Sequence, residues 1–264
     1  MSAREARGVE VMCTPWDRPS VDALVGYGLP ALKIASADLT NHDLVSYAAA
    51  TGVPLILSTG MSSEEEIVET ARLVRESGTP FVMLHCQSTY PAPFKDVNLR
   101  YMARIGELAG CLVGYSGHER GFHVPLAAVA LGASVIEKHV TVDRGMEGND
   151  HKVSLLPDEL TAMVRQTREL EEAMGSAAPR ACASQPASAA SATSGGRSSQ
   201  STRPSLPSQR RAVSVKRCLG SALEGRKQNF RPAGKIPASH CSVCSFSGRL
   251  SGPPRESHGQ VTGR

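Results

Sequence analysis

Aromatic residues are scarce in this chain. Five Phe, five Tyr and one Trp make up 4% of 264 residues, too few for the stacking platforms that hold single-stranded nucleic acid. Long apolar runs are absent too. Nothing approaches the ~18 residues of a membrane-spanning helix, and the polar start Met1-Ser2-Ala3-Arg4-Glu5 has no apolar core of the secretory-signal kind. Nor is there a disulfide framework. The seven cysteines are an odd number, and Cys13, Cys86 and Cys111 sit inside apolar runs, as buried thiols do in a reducing compartment. A cytoplasmic protein without membrane attachment is expected.

The formal net charge of +4 conceals a split. Residues 178–264 carry 14 Lys and Arg against two Glu, whereas the preceding residues carry 15 basic and 23 acidic side chains. The front is an ordinary acidic body of residues 1–177 and the back is a basic tail. The tail is rich in Ser, Ala, Pro, Gly and Arg and loses all apolar periodicity after Gly175. It offers too little apolar surface to offset an ordering cost of ~1–2 kcal/mol per residue, so disorder is expected over 178–264. Its composition also matches a shifted reading of GC-rich DNA. Counterion release could draw such a tail to nucleic acid, but specific binding is not expected. His240, Cys241 and Cys244 form one Cys-x-x-Cys with a neighbouring histidine and no second ligand pair, short of a structural zinc site.

The body shows six short apolar runs at regular intervals: Val9–Thr14, Ala31–Ala35, Pro54–Ser58, Phe81–Cys86, Cys111–Tyr115 and Ser134–Val140. Helical patterns lie between them. Ser62-Ser63-Glu64-Glu65 is an N-terminal capping signature for a helix reaching about Ser77. Pro157-Asp158-Glu159 opens a last amphipathic helix with Leu160, Met163, Val164, Thr167, Leu170 and Met174 on one face, and Gly175 ends it. Strands alternating with helices predict βαβ units and a parallel sheet.

Polar residues gather where strands end and helices begin, the rim on which parallel α/β folds build their sites. The runs end Lys33-Ile34-Ala35-Ser36-Ala37-Asp38, Ser58-Thr59-Gly60-Met61, His85-Cys86-Gln87-Ser88-Thr89-Tyr90-Pro91, Gly114-Tyr115-Ser116-Gly117-His118-Glu119 and Glu137-Lys138-His139-Val140-Thr141. A lysine among hydroxyls makes a phosphate or carboxylate cradle. His118 and His139, at equivalent ends of successive strands, can bind one divalent transition metal. Glu137 shares a strand face with His139, and Lys138 faces the other way. His42, His85 and His123 are read as structural.

In order and spacing these segments, with Asp96-Val97-Asn98-Leu99 and Asp150-His151, resemble the sialic acid synthase family, which includes N-acetylneuraminate, legionaminic and pseudaminic acid synthases. The resemblance covers roughly Gly8 to Gly175. It implies a (β/α)₈ TIM barrel followed by a small antifreeze-like domain. The implied reaction condenses phosphoenolpyruvate with the aldehyde of an N-acylated hexosamine, aided by manganese or magnesium, to give a sialic-acid-type sugar acid and phosphate. By the same carry-over His118 and His139 are the metal ligands. Lys33, Ser36, Ser58, Ser88 and Ser116 hold phosphoenolpyruvate, and Asp38, Tyr90 and Asp150 face the sugar, with Lys33, Asp38, Tyr90 and Asp150 as the catalytic candidates.

The chain also departs from the family. The Glu-Ile-Gly-x-Asn-His motif of the first barrel strand and the Lys-Phe-Gln context of the second are missing, as is a recognisable antifreeze-like segment. The expectation is an incomplete barrel of about six β/α units with impaired activity. The homodimer implied by the family is not expected of it. Two other readings stand beside this one: a Schiff-base aldolase using Lys33, and a non-catalytic fragment with a basic interaction tail.

Overall fold

A computed structural model describes residues 10–176 and the backbone of 212–217. Five parallel strands follow the expected runs: β1 (Leu32–Ile34), β2 (Leu55–Ser58), β3 (Phe81–Cys86), β4 (Leu112–Gly117) and β5 (Val135–Val140). They pair in chain order and curl into a half-barrel. Helix α1 (Arg18–Gly26) precedes β1, the helices between strands are α2 (His42–Ala50), α3 (Glu64–Glu76), α4 (Tyr101–Ala109) and α5 (His123–Ala130), and a short α6 (Asn149–Val153) and a long α7 (Pro157–Met174) follow β5.

Two strand expectations need correction. Over residues 10–14 the first run contracts to a single bridge, Cys13 to Leu32. The Cys13 carbonyl accepts from the Lys33 N–H at 3.1 Å, but Pro15 has no N–H with which to prolong a ladder. The sixth strand is instead β6 (Ala212–Arg217), parallel to β5 in the register Val135 to Ala212. The disorder expected for the rest of 178–264 lies outside the described residues, as do His240, Cys241 and Cys244.

The capping expectation holds. Ser63 caps α3, its hydroxyl accepting from the Glu66 N–H and the Glu66 carboxylate accepting from the Ser63 N–H. Such a cap contributes about 1 kcal/mol. Met163 and Thr167 of α7 are buried, but Met174 lies where the stripe leaves the core and is 41% exposed.

Alternation along the strands decides the two faces. Leu32, Ile34, Leu55, Leu57 and Met83 pack on α2, α3 and α4 in one core. Tyr115, Ile136 and Val140 pack with Ala128, Val129 and Met163 in a second. On the inner, concave face a small cluster of Met12, Ala31, Ile56, Val82, Leu84 and Val135 floors the half-barrel. Toward the C-terminal strand ends that floor gives way to polar side chains.

Candidate active site

The C-terminal ends of β1 to β5 surround a cavity of about 250 Å³, walled by Met12, Thr14, Trp16 and Met61 on its apolar side. Lys33 projects into it because its neighbours Leu32 and Ile34 are claimed by the outer core. The Lys33 Nζ donates to Ser58 Oγ at 2.8 Å and to the Ile34 carbonyl at 2.7 Å, and lies 3.9 Å from Glu137 Oε2. Cys86, Ser116 and Glu137 are successive register partners on β3, β4 and β5, so all three face inward in one row. Ser116 donates to Glu137 Oε1 at 2.8 Å. Ser36, in the 3-10 turn Ser36–Asp38 after β1, accepts from the Gly60 N–H at 3.1 Å. Gly60 must lack a side chain: a Cβ there would stand 2.5 Å from Ser88 Oγ and 2.8 Å from Cys86 Sγ.

At the far wall lie the two histidines. His118 follows the last residue of β4 and is 4% exposed; His139 is inside β5 and 1% exposed. His118 Nδ1 lies 2.7 Å from the Gln87 carbonyl, which assigns its proton to Nδ1. Nε2 then carries the lone pair and accepts from the Tyr90 hydroxyl at 3.0 Å. The two imidazole centroids are 5.1 Å apart with planes at 74°. Two neighbouring ligand imidazoles, each about 2.1 Å from a shared ion through nitrogen, have centroids roughly 5 Å apart, so the pair fits a divalent metal. Among the described residues no three His, Cys, Asp or Glu side chains converge as one metal-binding group. Two imidazoles would leave the other positions of such an ion to water or substrate.

Cys86 adds a feature absent from the sequence reading. Its Sγ is 3.6 Å from His118 Nδ1. Burial alone disfavours charge on both groups, yet their contact outweighs it. His118 is held above the ordinary imidazole value, helped by the Gln87 carbonyl and Glu137. Cys86 is held below the ordinary thiol value, helped by Ser36 and Lys33.

The structure brings Lys33, Ser36, Ser58, Ser88, Tyr90, Ser116 and His118 onto one cavity. His139 adjoins it through ring contacts with Tyr90 and His118. Asp150, on α6, lies one layer further out, its Oδ2 3.8 Å from His139 Nδ1. Asp38 is not in the cavity wall. One of its oxygens accepts from Asn41 Nδ2 at 3.2 Å, and the other is buried with no hydrogen-bond partner among the described residues. Glu137 is the buried carboxylate beside Lys33, and His85 has the structural role expected of it, its Nε2 2.6 Å from the Val97 carbonyl. Met12 and Trp16 were missed because the first apolar run carries no polar rim motif, and Met61 because it is the apolar end of Ser58-Thr59-Gly60-Met61, a motif read for its hydroxyls. The alternation that turns Leu84 inward would have placed Cys86 inward as well.

A profile of the NeuB family matches residues 2–179. This chain belongs to the NeuB family. N,N'-diacetyllegionaminic acid synthase of Campylobacter jejuni is 43% identical to this NeuB-family chain over 180 residues, 67% of this chain and 54% of that one. Human N-acetylneuraminate-9-phosphate synthase is 37% identical over 173 residues, 65% of this chain and 48% of that one. The crystal structure of N-acetylneuraminic acid synthetase from Leptospira borgpetersenii superposes with a TM-score of 0.61 at 38% identity, covering 65% of this chain and 60% of that one. The chain thus spans about half the length of the curated relatives it matches.

Proposed function

We propose that this NeuB-family chain carries the phosphoenolpyruvate and metal-binding half of a sugar-acid synthase. The observation that carries the reading is the convergence of Lys33, Ser36, Ser58, Ser116 and His118 on one cavity. In the reaction the methylene carbon of phosphoenolpyruvate bonds to the aldehyde carbon of an N-acylated hexosamine such as N-acetylmannosamine, and the aldehyde oxygen takes up a proton. Water adds to the adjacent, phosphate-bearing carbon left cationic by that bond, the C–O bond from this carbon to phosphate then breaks, and a nonulosonate and inorganic phosphate result.

Each residue has a physical task. Lys33 presents an ammonium to the phosphate or carboxylate of phosphoenolpyruvate, and such charge-assisted bonds are about twice as strong as neutral ones. Ser58 accepts from Lys33, so its own proton is available to the anion. The hydroxyl of Ser36 is aimed at Cys86 Sγ at 3.6 Å, a weak bond that an anionic oxygen displaces. Ser116 has its proton on Glu137 and reaches the ligand only by rotating away from it. His118 and His139 would hold the divalent ion, which when bound supplies Lewis-acid polarisation of the acceptor aldehyde. The Tyr90 hydroxyl, released from His118 Nε2, then faces the acceptor. Asp150 orients His139 from behind, as carboxylates do for ligand imidazoles.

A Schiff-base aldolase is the weaker reading. Lys33 Nζ donates to two oxygens beside a carboxylate, contacts that suit an ion-pairing role better than a nucleophilic one. No described helix is long and apolar enough to cross a membrane. Cys13, Cys86 and Cys111 carry thiols, which suits the cytoplasmic setting of this reading.

The test is phosphate release from phosphoenolpyruvate and N-acetylmannosamine with manganese. It is run on the 264-residue chain and on residues 8–175 joined to the remaining segments of a full-length relative. Slow or no release from the chain alone and turnover by the joined protein are expected. A silent joined protein, or borohydride trapping of a carbonyl substrate on Lys33, would count against the reading.

A further inference from the structure

On the outer face of the sheet, behind the two histidines, lies a buried charged cluster with no contact to the cavity. Lys138 and Glu119 are both fully buried, with Lys138 Nζ 3.1 Å from Glu119 Oε1. The Tyr115 hydroxyl donates to Glu119 Oε2 at 2.6 Å. Burial pushes the Lys138 ammonium below its ordinary value despite Glu119. A buried ion pair contributes little net stability compared with well-packed apolar residues, so hydrophobic filling alone does not account for it.

The backbone shows what a lysine does there that a leucine cannot. Lys138 Nζ also donates to the Gly117 carbonyl at 3.3 Å and to the Glu119 carbonyl. Those carbonyls flank His118, which lies just past the end of the β4 ladder; the last β4–β5 register pair is Gly117 with Lys138. The His118 carbonyl accepts from the Ala92 N–H at 3.0 Å, and the His139 carbonyl from the Leu155 N–H at 2.8 Å. One ammonium therefore ties both sides of His118 to the residue immediately before His139.

We propose that Lys138, Glu119 and Tyr115 form a clamp that sets the separation and orientation of the His118 and His139 imidazoles, acting as positioning residues. For its metal consequences the proposal rests on the reading of these histidines as ligands. Gly117 belongs to the same device. A Cβ at 117 would stand 2.8 Å from both Glu119 carboxylate oxygens and 2.9 Å from Tyr115 Cε1, so the carboxylate and the Tyr115 ring together fill the space a side chain at 117 would take. With Glu119 cut back to Ala, a carboxylate supplied from 117 takes the place of the lost one if the Tyr115 ring yields by a few tenths of an ångström.

The experiment compares the full chain with the charge-neutral variant K138M/E119Q, with E119A, and with E119A/G117D. Two quantities are read beside the melting temperature: the ring-nitrogen NMR signals of His118 without metal, and manganese affinity by electron paramagnetic resonance. In K138M/E119Q and E119A the protected Nδ1 proton of His118 should become fast-exchanging. Manganese affinity should fall 10–100-fold, the usual cost of losing the groups that orient metal ligands. E119A/G117D should recover both. A folded K138M/E119Q with the original Nδ1 signal and affinity overturns the clamp. If the unaltered chain binds no manganese, the metal reading fails and the Nδ1 signal alone decides the clamp. Should K138M/E119Q and E119A not fold, Y115F carries the test, with a partial loss of Nδ1 protection expected and full protection refuting it.

Discussion

Replacing Lys33 with Met is the most informative single perturbation of the cavity. Lys33 and Glu137 have side-chain exposures of 11% and 9%, which removes the pair from the surface regime, where ion pairs are worth about 0–1 kcal/mol. The substitution deletes the bonds to Ser58 Oγ and the Ile34 carbonyl and takes the ammonium away from a buried carboxylate. Breaking one side of a buried pair costs about 3–5 kcal/mol. At roughly 2–4 °C per kcal/mol for a body of this size, the melting temperature should fall by roughly 6–20 °C. K33M/E137Q removes both charges and should recover most of that loss, a coupling of about 2 kcal/mol or more in a double-mutant cycle. Urea denaturation of the unaltered chain, K33M, E137Q and K33M/E137Q measures it. Additive losses, or a K33M chain as stable as the original, would refute the claim that Lys33 and Glu137 act as one buried unit. Phosphoenolpyruvate binding should vanish in both variants, because the ammonium is gone from each.

Other outcomes follow from the same geometry. H118A and H139A should each abolish stoichiometric manganese binding, measured by paramagnetic resonance; unchanged affinity in both would remove the metal assignment. G60A should cost about 1–3 kcal/mol by overpacking and weaken phosphoenolpyruvate binding, because its methyl group meets Ser88 and Cys86; a neutral G60A would show that the rim is looser than described. Burial pushes the Cys111 thiol up to about 11. Its alkylation, followed site by site by mass spectrometry, should therefore accelerate near pH 11 instead of near ~8.5. Its raised folded value means that the partly buried neutral thiol contributes stability below pH ~8.5, and that this is lost as pH rises through about 11. Alkylation that is already rapid at pH 8 would contradict that burial.

The parts of this molecule legible in its sequence are those set by local pattern. Five of six apolar runs became strands because parallel strands buried on both faces read as continuous apolar segments. The residues Lys33, Ser58, Ser116 and His118 met because strand ends in such a sheet share one rim. Residues 10–14 failed as a strand because one proline outweighed their apolar character, and β6 was overlooked within a Ser- and Arg-rich stretch although Val213 and Val215 alternate in it. What depends on register between distant segments could not be read. The Lys138–Glu119 pair joins β5 to the segment just past β4, across the intervening α5. The Cys86–His118 contact joins β3 to the residue after β4. The Lys33–Glu137 pair closes across the concave face from β1 to β5, a meeting that exists only once the sheet has curled.

Phosphorus NMR relaxation of phosphoenolpyruvate titrated with this chain and manganese tests whether the histidine pair and the Lys33 cradle form one site. Strong paramagnetic broadening is expected that saturates at one manganese per chain, is lost in H118A and H139A, and is lost in K33M even where manganese still binds. Broadening that is the same in all four proteins, or absent from the unaltered chain, would show that the histidine pair and the Lys33 cradle do not form one site.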